Sequence, residues 1–222
     1  MAQHDNEHAH AWTCSDTLAQ ALRPQFEALL DSLAVTTGSY VPDAAAMGRR
    51  ALRNLALGYL MELDDPALQL RALTQFRDAD NMTDQFAAFS LLAHSETPLR
   101  EVALNEFYAR WKDEALVVDK WLAVQATSPL PDARARVREL MAHEAFDLKN
   151  PNKVYALVRT FCAANPLHFH AADGSGYAYA AGVIRELDPV NPQVASRVAR
   201  AFDRWRGEIR ASTSYRLETA AP

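Results

Sequence analysis

Residues 168–177, HFHAADGSGY, bring together side chains that could bind a metal ion. His168 and His170 are two positions apart, so both could hold one ion only from an extended segment, with Asp173 as a third ligand. Histidines in a protein core or at a helix cap are commoner than such ligands. We therefore expect both histidines to be structural, with metal binding as the alternative.

The Gly-Ser-Gly step at 174–176 could cradle a phosphate or carry a nucleophile. It lacks the lysine of a phosphate-binding loop, no strand is expected before it, and its spacing is not the GxSxG of a nucleophile elbow. We expect Asp173 or Ser175 to cap a helix that begins near Tyr177, and the glycines to permit a positive φ or a close backbone approach. The segment is interpreted as the entry to a helix.

Two other histidine-containing stretches have zinc-binding residue types. The leader HDNEHAH, 4–10, has no expected scaffold around it. His143-Glu144 matches the first half of an HExxH zinc helix, but Asp147 stands where the second histidine would lie. We interpret His143 as a polar residue near a helix C-terminus, where positive charge is favourable, and expect no metal site in this chain.

The stretch NPQVASR, 191–197, places an amide and a guanidinium together. Pro192 suits the first position of a helix, and Gln193 and Arg197 are four residues apart, so they project from one face of its first turns. From the residues alone, a solvated pair is favoured over a functional one.

The composition of the 222-residue chain narrows its expected partners. A net charge of −5 lacks the basic excess that nucleic acid binding requires, and no apolar run of about 18 residues could span a membrane. Cys14 and Cys162 form no CxxC pair, which argues against a disulfide framework and a zinc ribbon. We expect a cytoplasmic protein with neither a nucleic acid nor a membrane as partner.

From residue 15 onward, segments of helical period alternate with short breaks of Pro, Asn, Asp and Ser, so the chain is predicted to be all-α. Pro24 marks a kink or a new helix start, and Asp43, Asp65-Pro66 and Asn81 mark further starts. Two of these helices are expected to bury one apolar stripe each, formed by Leu52, Leu55, Tyr59 and Leu60 in the first and by Leu70, Leu73 and Phe76 in the second.

About ten helices joined by short loops could form a globular bundle or a stack of helical hairpins. We favour a right-handed superhelical stack of antiparallel helix pairs, a HEAT/ARM-like solenoid, because the helix spacing is regular and Pro or Asn-Pro recurs at helix starts. We expect one helical-repeat domain over 13–206, a flexible leader over 1–12 and a disordered tail over 207–222.

Five blocks of this sequence, in the same order, resemble the C-terminal helical domain of bacterial aminopeptidase N, in the M1 zinc metallopeptidase family. The likeness runs from about residue 45 to 206, and several blocks in order make it more specific than any single motif. The blocks are ADNMTDQFAAFSLL (79–92), EFYARWKDEALVVDKWLAVQA (106–126), HEAFDLKNPNKVYALVRTF (143–161), ANPLHFHAADGSGYAYAAGVI (164–184) and NPQVASRVARAFDRW (191–205).

The resemblance implies a cytoplasmic exopeptidase that removes N-terminal residues from peptides with a zinc-bound water and a glutamate base. The family's HExxH and its substrate loop have no counterpart in these 222 residues, so we expect no hydrolysis by this chain alone and assign zinc to the full-length enzyme. In the family, this domain encloses the catalytic cavity and controls peptide access. Its expected partners are therefore the catalytic domain, in the same or a separate chain, and peptides.

The resemblance also implies two site residues and shows two departures. A glutamine and an arginine near the pocket for the substrate's first side chain correspond to Gln193 and Arg197, whereas a basic residue after the family's NPN motif is Tyr155 here. The end, GEIRASTSYRLETAAP (207–222), does not match and is interpreted as a truncation, a frame change or a vector-derived tail. A solenoid without its terminal cap exposes an apolar face, so we expect reduced stability or self-association.

The predicted function is thus that of an aminopeptidase domain that caps the cavity and shapes the first side-chain pocket. An alternative is a stand-alone helical-repeat module that binds a protein or peptide on its concave face. A third is metal binding by the leader together with His168 and His170.

Overall fold

The computed structural model describes residues 15–33 and 43–204, without the side chain of Arg204. Within these ranges the regular structure is helical and no strand occurs, so the all-α helical-repeat prediction is confirmed. The predicted leader over 1–12 and the predicted tail over 207–222 lie outside the described residues. No described helix has both the length and the apolar character needed to cross a membrane.

The described residues fall into two compact units, here called the N-terminal unit, up to Phe107, and the C-terminal unit, from Tyr108. The N-terminal unit begins with helical residues 15–21. Its further helices are α1 (Arg23–Ser32), α2 (Ala44–Met61), α3 (Pro66–Asp78), α4 (Met82–Ala93) and the part of α5 (Leu99–Trp111) up to Phe107.

Local side-chain chemistry starts the helices of the N-terminal unit as expected. Pro24 lies in the first turn of α1, which begins after a break at Leu22, so the new helix start is confirmed. The side chains of Asp43, Asp65 and Asn81 each accept a hydrogen bond from a backbone N–H of the following turn, at 2.6, 2.8 and 2.9 Å. Each cap satisfies a donor that the first turn of a helix leaves without an intrahelical partner.

The buried faces of α2 and α3 differ from the expected stripes. Leu52 is 44% exposed, Leu55 is 55% exposed and Leu70 is 57% exposed, so burial was wrongly predicted for these three. The core of the unit includes Ala56, Leu57 and Leu60 of α2, Leu68, Ala72, Leu73 and Phe76 of α3, and Phe89 and Phe107. The small Ala56 and Ala72 allow close approach of neighbouring helices, a property that apolar periodicity does not score.

A buried polar network also holds the N-terminal unit together. Asp84, 1% exposed, accepts hydrogen bonds from the side-chain amides of Asn54 and Asn81, both at 3.0 Å. Arg53 forms an ion pair with Asp84 at 3.7 Å, and its Nε donates to Gln75 Oε1 at 3.1 Å. We call these five residues the Asp84 network.

The C-terminal unit contains α6 (Ala115–Ala126), α7 (Ala133–Met141), α8, α9 (Pro166–Phe169), α10 (Ser175–Leu187) and α11 (Pro192–Ala199). Helix α8 begins as an α-helix at Pro151–Val154, continues through a π-helical turn at Tyr155–Arg159 and ends at Thr160–Ala164. A 3₁₀ turn, Arg200–Arg204, follows α11.

Three helices of this unit, α8, α9 and α11, start at an Asn-Pro pair. The side chains of Asn150, Asn165 and Asn191 accept from backbone N–H groups at 3.0, 3.2 and 3.1 Å, and each following proline occupies the first turn. The expectation of Asn-Pro helix starts is confirmed. Asn165 is 3% exposed and its amide also donates to the carbonyls of Ala126 and Ser128, which ties α9 to the end of α6.

Candidate functional site

The histidines of HFHAADGSGY have protein partners. His168 Nε2 lies 3.1 Å from the carbonyl oxygen of Pro129, and His170 Nδ1 lies 2.7 Å from the hydroxyl of Tyr177. In the described ranges, no group of three or more metal-binding side chains comes together. These two contacts agree with a structural role for both histidines, and the leader 4–10 lies outside the described residues.

The Gly-Ser-Gly step delivers α10, which begins at Ser175, two residues before the expected Tyr177. Asp173 Oδ1 accepts from the Ser175 N–H at 2.9 Å, and hydrogen bonds from the Ser175 side chain and backbone hold the pKa of the Asp173 carboxyl below its usual range. Gly174 has φ 69°, and a Cβ on Gly176 would collide with the backbone oxygen atoms of His168 and Phe169. Both glycine roles are therefore confirmed. The N-cap position is Gly174 rather than Asp173 or Ser175, and Asp173, one residue earlier, accepts from the first N–H of α10.

His143 lies just beyond the C-terminus of α7, as expected. Its Nδ1 accepts from the Ala145 N–H at 3.1 Å, and its ring packs 4.9 Å from Tyr108 and 5.2 Å from Trp121. Burial and the hydrogen bond to Glu144 raise the pKa of Tyr108 beside it.

The predicted pair Gln193 and Arg197 lies on α11. Asn191 caps this helix and Pro192 occupies its first turn, so the first two turns are fixed by local chemistry. Val194, Ala195 and Val198 bury the opposite face, while Gln193 and Arg197 are exposed. The amide and the guanidinium therefore project from one outward face, as the spacing predicted.

Tyr155, which the sequence showed only as a departure from the family's pattern, contacts Arg197. Arg197 Nη1 donates a hydrogen bond to the Tyr155 hydroxyl at 3.0 Å, and the Arg197 guanidinium carbon lies 6.0 Å from the centre of the ring. The guanidinium carbon of Arg159 also lies 6.0 Å from this ring. We call Tyr155, Arg159, Gln193 and Arg197 the Tyr155 patch.

The π-helical turn of α8 sets where Tyr155 and Arg159 stand. A π turn holds one more residue than an α turn and often occurs at functional sites. Thr160 Oγ1 donates to the Tyr155 carbonyl at 3.0 Å, and Leu157 and Val158 are fully buried beneath the turn. Arg159 was missed from the sequence, although its spacing four residues after Tyr155 on a helix is a usable signal.

A cavity of about 570 Å³ lies in the N-terminal unit. Its walls come from α1, α2 and α3 and include Leu30, Leu57 and Leu70, together with Arg53 and Gln75. Arg53 and Gln75 hydrogen-bond to each other within the Asp84 network, and none of the predicted site residues lines this cavity. The cavity therefore gives no separate functional assignment.

Comparison with known proteins places this chain among helical-repeat domains of aminopeptidases. It is 44% identical to aminopeptidase N of Caulobacter vibrioides over 171 residues, which are 76% of this chain and 20% of that protein. It is 37% identical to aminopeptidase N of Escherichia coli over 160 residues, 72% of this chain and 18% of that protein. The chain thus spans about a fifth of the length of these curated relatives.

This chain is also similar to part of a solved aminopeptidase structure. Legionella pneumophila aminopeptidase A in complex with aspartic acid matches with a TM-score of 0.80 and 34% identity, over 90% of this chain and 24% of that one. The resemblance to the C-terminal helical domain of bacterial aminopeptidase N is confirmed. The family described as a domain of unknown function (DUF3458_C) with ARM repeats matches residues 1–212, and this chain belongs to that family.

Proposed function

We propose that this chain acts as the C-terminal domain of a cytoplasmic M1 zinc aminopeptidase, where it caps the catalytic cavity, limits peptide access and shapes the pocket for the substrate's first side chain. The observation that carries the proposal is the outward-facing pair Gln193 and Arg197, on a domain whose relatives are aminopeptidases. An exposed amide and guanidinium on a well-anchored helix can contact a ligand without loss of core packing.

The chemistry of zinc belongs to the rest of such an enzyme. No HExxH occurs in the 222 residues, and His168 and His170 already have protein partners. Among the described residues no group of side chains fits a zinc ion, so in this proposal a catalytic domain, in the same or a separate chain, supplies the metal and the general base. The contribution of this domain is to bind and orient the peptide.

Gln193 and Arg197 would act by contacting the first side chain of a bound peptide. In this chain by itself both side chains are exposed to water, so each contact with a ligand replaces a contact with water. Closure of a catalytic domain over this surface would exclude water and strengthen hydrogen bonds to the guanidinium. The pair would therefore affect which side chains are preferred more than whether hydrolysis occurs.

The first test uses the purified chain with added zinc and aminoacyl reporter substrates. We expect no release of alanine or arginine, because the hydrolytic groups are missing from the sequence. Hydrolysis that a chelator abolishes would contradict the proposal.

The second test uses the complete enzyme with Gln193→Ala and Arg197→Ala. We expect the relative kcat/KM for alanyl, arginyl and aspartyl reporters to change while zinc content does not; the aspartyl reporter is included because the Legionella relative was solved with aspartic acid. Arg185→Ala, an exposed arginine on α10, is the matched control and should leave the preference unchanged. An equal effect on all three reporters would refute the assignment of the pair.

The exposed side of α2 favours a second candidate function, a stand-alone interaction module. Met47, Leu52 and Leu55 are 59%, 44% and 55% exposed, and large apolar side chains on one helix are suited to a partner. Binding of the purified chain to a separately expressed M1 catalytic domain would support the first function. Absence of that binding, with specific binding of a different purified protein, would support the second.

A further inference from the structure

We infer that Tyr155 is a positioning residue for Arg197, and that the Tyr155–Arg197 pair favours substrates whose first side chain carries a hydrogen-bond acceptor. The inference rests on the proposed function, since it assigns a substrate class to the same surface. It adds Tyr155, which stands where the family can have a basic residue after its NPN motif.

The geometry of the pair carries the inference. Arg197 Nη1 and the Tyr155 hydroxyl are 3.0 Å apart, and the two residues are 42 positions apart in the sequence. The hydroxyl accepts this hydrogen bond from the guanidinium, since a guanidinium has donors and no acceptor. The Tyr155 ring also lies within cation–π distance of both Arg197 and Arg159.

Tyr155 is the better-anchored member of the pair. Its carbonyl accepts from Thr160 Oγ1, the neighbouring Val154 is fully buried, and Leu157 and Val158 anchor the same turn. Arg197, by contrast, is an exposed residue with a long side chain, which has many rotamers in water. A hydrogen bond to an anchored hydroxyl therefore restricts the arginine and aims its other N–H groups.

The donors of the patch define the substrate class. Arg159, Arg197 and the Tyr155 hydroxyl offer donors, and the Gln193 amide offers a donor and an acceptor, so donors predominate and an acceptor on the ligand finds the most partners. Two guanidinium groups on one ring also favour a negative charge. Carboxylate side chains, as in peptides that begin with aspartate or glutamate, fit this arrangement best.

The positioning role can be tested on the chain alone by NMR of the arginine side chains. Tyr155→Phe removes the hydroxyl and keeps the ring, so we expect the ¹⁵N relaxation of Arg197 Nε to report greater motion while the circular dichroism spectrum stays the same. Tyr177→Phe is the matched control, because it removes a hydroxyl that pairs with His170 in the same unit. Unchanged Arg197 relaxation in Tyr155→Phe would overturn the inference.

The specificity role is tested in the complete enzyme. In Tyr155→Phe we expect the kcat/KM for an aspartyl reporter to fall about threefold to tenfold relative to an alanyl reporter, the range of one hydrogen bond, mainly through KM. The double variant with Arg197→Ala should lose no more than Arg197→Ala alone, because both changes remove one interaction. Additive losses, or a fall in kcat for both reporters alike, would overturn the specificity role.

The two experiments separate this inference from the proposed function. If Tyr155→Phe frees Arg197 but Arg197→Ala leaves every substrate preference unchanged, the proposed function of the surface and the substrate class both fail. If Arg197→Ala changes the preference but Tyr155→Phe changes neither motion nor preference, the proposed function stands and the role of Tyr155 fails.

Discussion

Each unit of this chain holds a cluster of polar side chains, and burial separates the two clusters. In the Asp84 network, Asp84 is 1%, Gln75 is 8% and the Arg53 side chain is 11% exposed, and hydrogen bonds link the members. In the Tyr155 patch, the three side chains around Tyr155 are exposed, and Arg197 is held through one hydrogen bond and a ring contact.

The difference teaches which cluster stabilises the fold and which is available to a ligand. Buried polar groups must find partners inside the protein, so removing one of them leaves the others unsatisfied. Exposed groups can exchange a protein partner for water at little cost, and can exchange water for a ligand in the same way. We therefore expect variants of the Asp84 network to affect stability and variants of the Tyr155 patch to affect recognition.

The largest effect is expected for Asp84→Ala. It would leave Arg53 buried without its carboxylate and would remove the acceptor of Asn54 and Asn81, so the free energy of unfolding should fall by about 3–5 kcal/mol. Urea titration followed by circular dichroism measures this change.

Asp31→Ala is the matched control for Asp84→Ala. Asp31 also pairs with an arginine, Arg71, at 2.7 Å, but its side chain is 69% exposed. Exposed ion pairs contribute at most about 1 kcal/mol, so this variant should unfold close to the unchanged protein. If Asp84→Ala and Asp31→Ala lowered the free energy of unfolding equally, burial would not explain the difference between the two aspartates.

A smaller effect is expected at the entry to α10. In Gly176→Ala, the new methyl group would collide with backbone oxygen atoms, which cannot move as a side chain can, so we expect a loss of about 2 kcal/mol. Gly182→Ala, in the same helix, meets nothing within 4 Å and should gain about 0.5–1 kcal/mol from its higher helix propensity. Thermal unfolding measures whether each variant is less or more stable than the unchanged protein. If Gly176→Ala were not destabilised, the close contact between Gly176 and the backbone oxygen atoms would be contradicted.

The sequence predicts contacts between residues that are close together in the chain. Helix starts at Asp43, Asp65 and Asn81 and the role of Asp173 depend on a side chain and a backbone group a few residues apart, so they can be predicted from sequence. The same holds for the common face of Gln193 and Arg197, which depends only on helical spacing.

Long-range partners were not predictable in this way. Leu52 and Leu55 belong to a helix with apolar side chains on several faces, and periodicity cannot tell which face a neighbouring helix will cover. Tyr155 and Arg197 are 42 residues apart in the sequence, and Asp84 lies about 30 residues from Arg53 and Asn54, yet each set of side chains is in contact in the structure. Such contacts follow from packing, for which local patterns carry no signal.

The thiol of Cys162 is buried, like the Asp84 network, and provides a further test of what burial does to a polar side chain. Burial raises its pKa from 9.0 to about 12, so the thiol stays protonated at neutral pH and should not react with iodoacetamide in the folded protein. The measurement needs a Cys14→Ser background, because Cys14 lies outside the described residues. Rapid labelling of native Cys162 at pH 8 would contradict its burial.

The same pKa shift predicts a pH dependence of stability. Between about pH 9 and pH 12 the unfolded thiol loses its proton while the folded one keeps it, so the free energy of unfolding falls as pH rises, by about 1 kcal/mol per pH unit. Below pH 9 both states are protonated and this contribution is constant. Cys162→Ala should lack this contribution, and both profiles are recorded in a Tyr179→Phe background, because burial and the nearby Cys162 thiolate raise the pKa of Tyr179.

The smallest effect on stability is expected for the Tyr155 patch. Tyr155→Phe and Arg197→Ala should each change the free energy of unfolding by less than about 0.5 kcal/mol, because the patch is open to water and neither change leaves a buried group without a partner. The urea titration used for Asp84→Ala measures both. If Tyr155→Phe were as destabilising as Asp84→Ala, the patch would be part of the structural framework, and changes in substrate preference in that variant would reflect misfolding. A small change in both variants would mean that any change in substrate preference comes from the lost contacts of Tyr155 and Arg197 and not from a loss of folded protein.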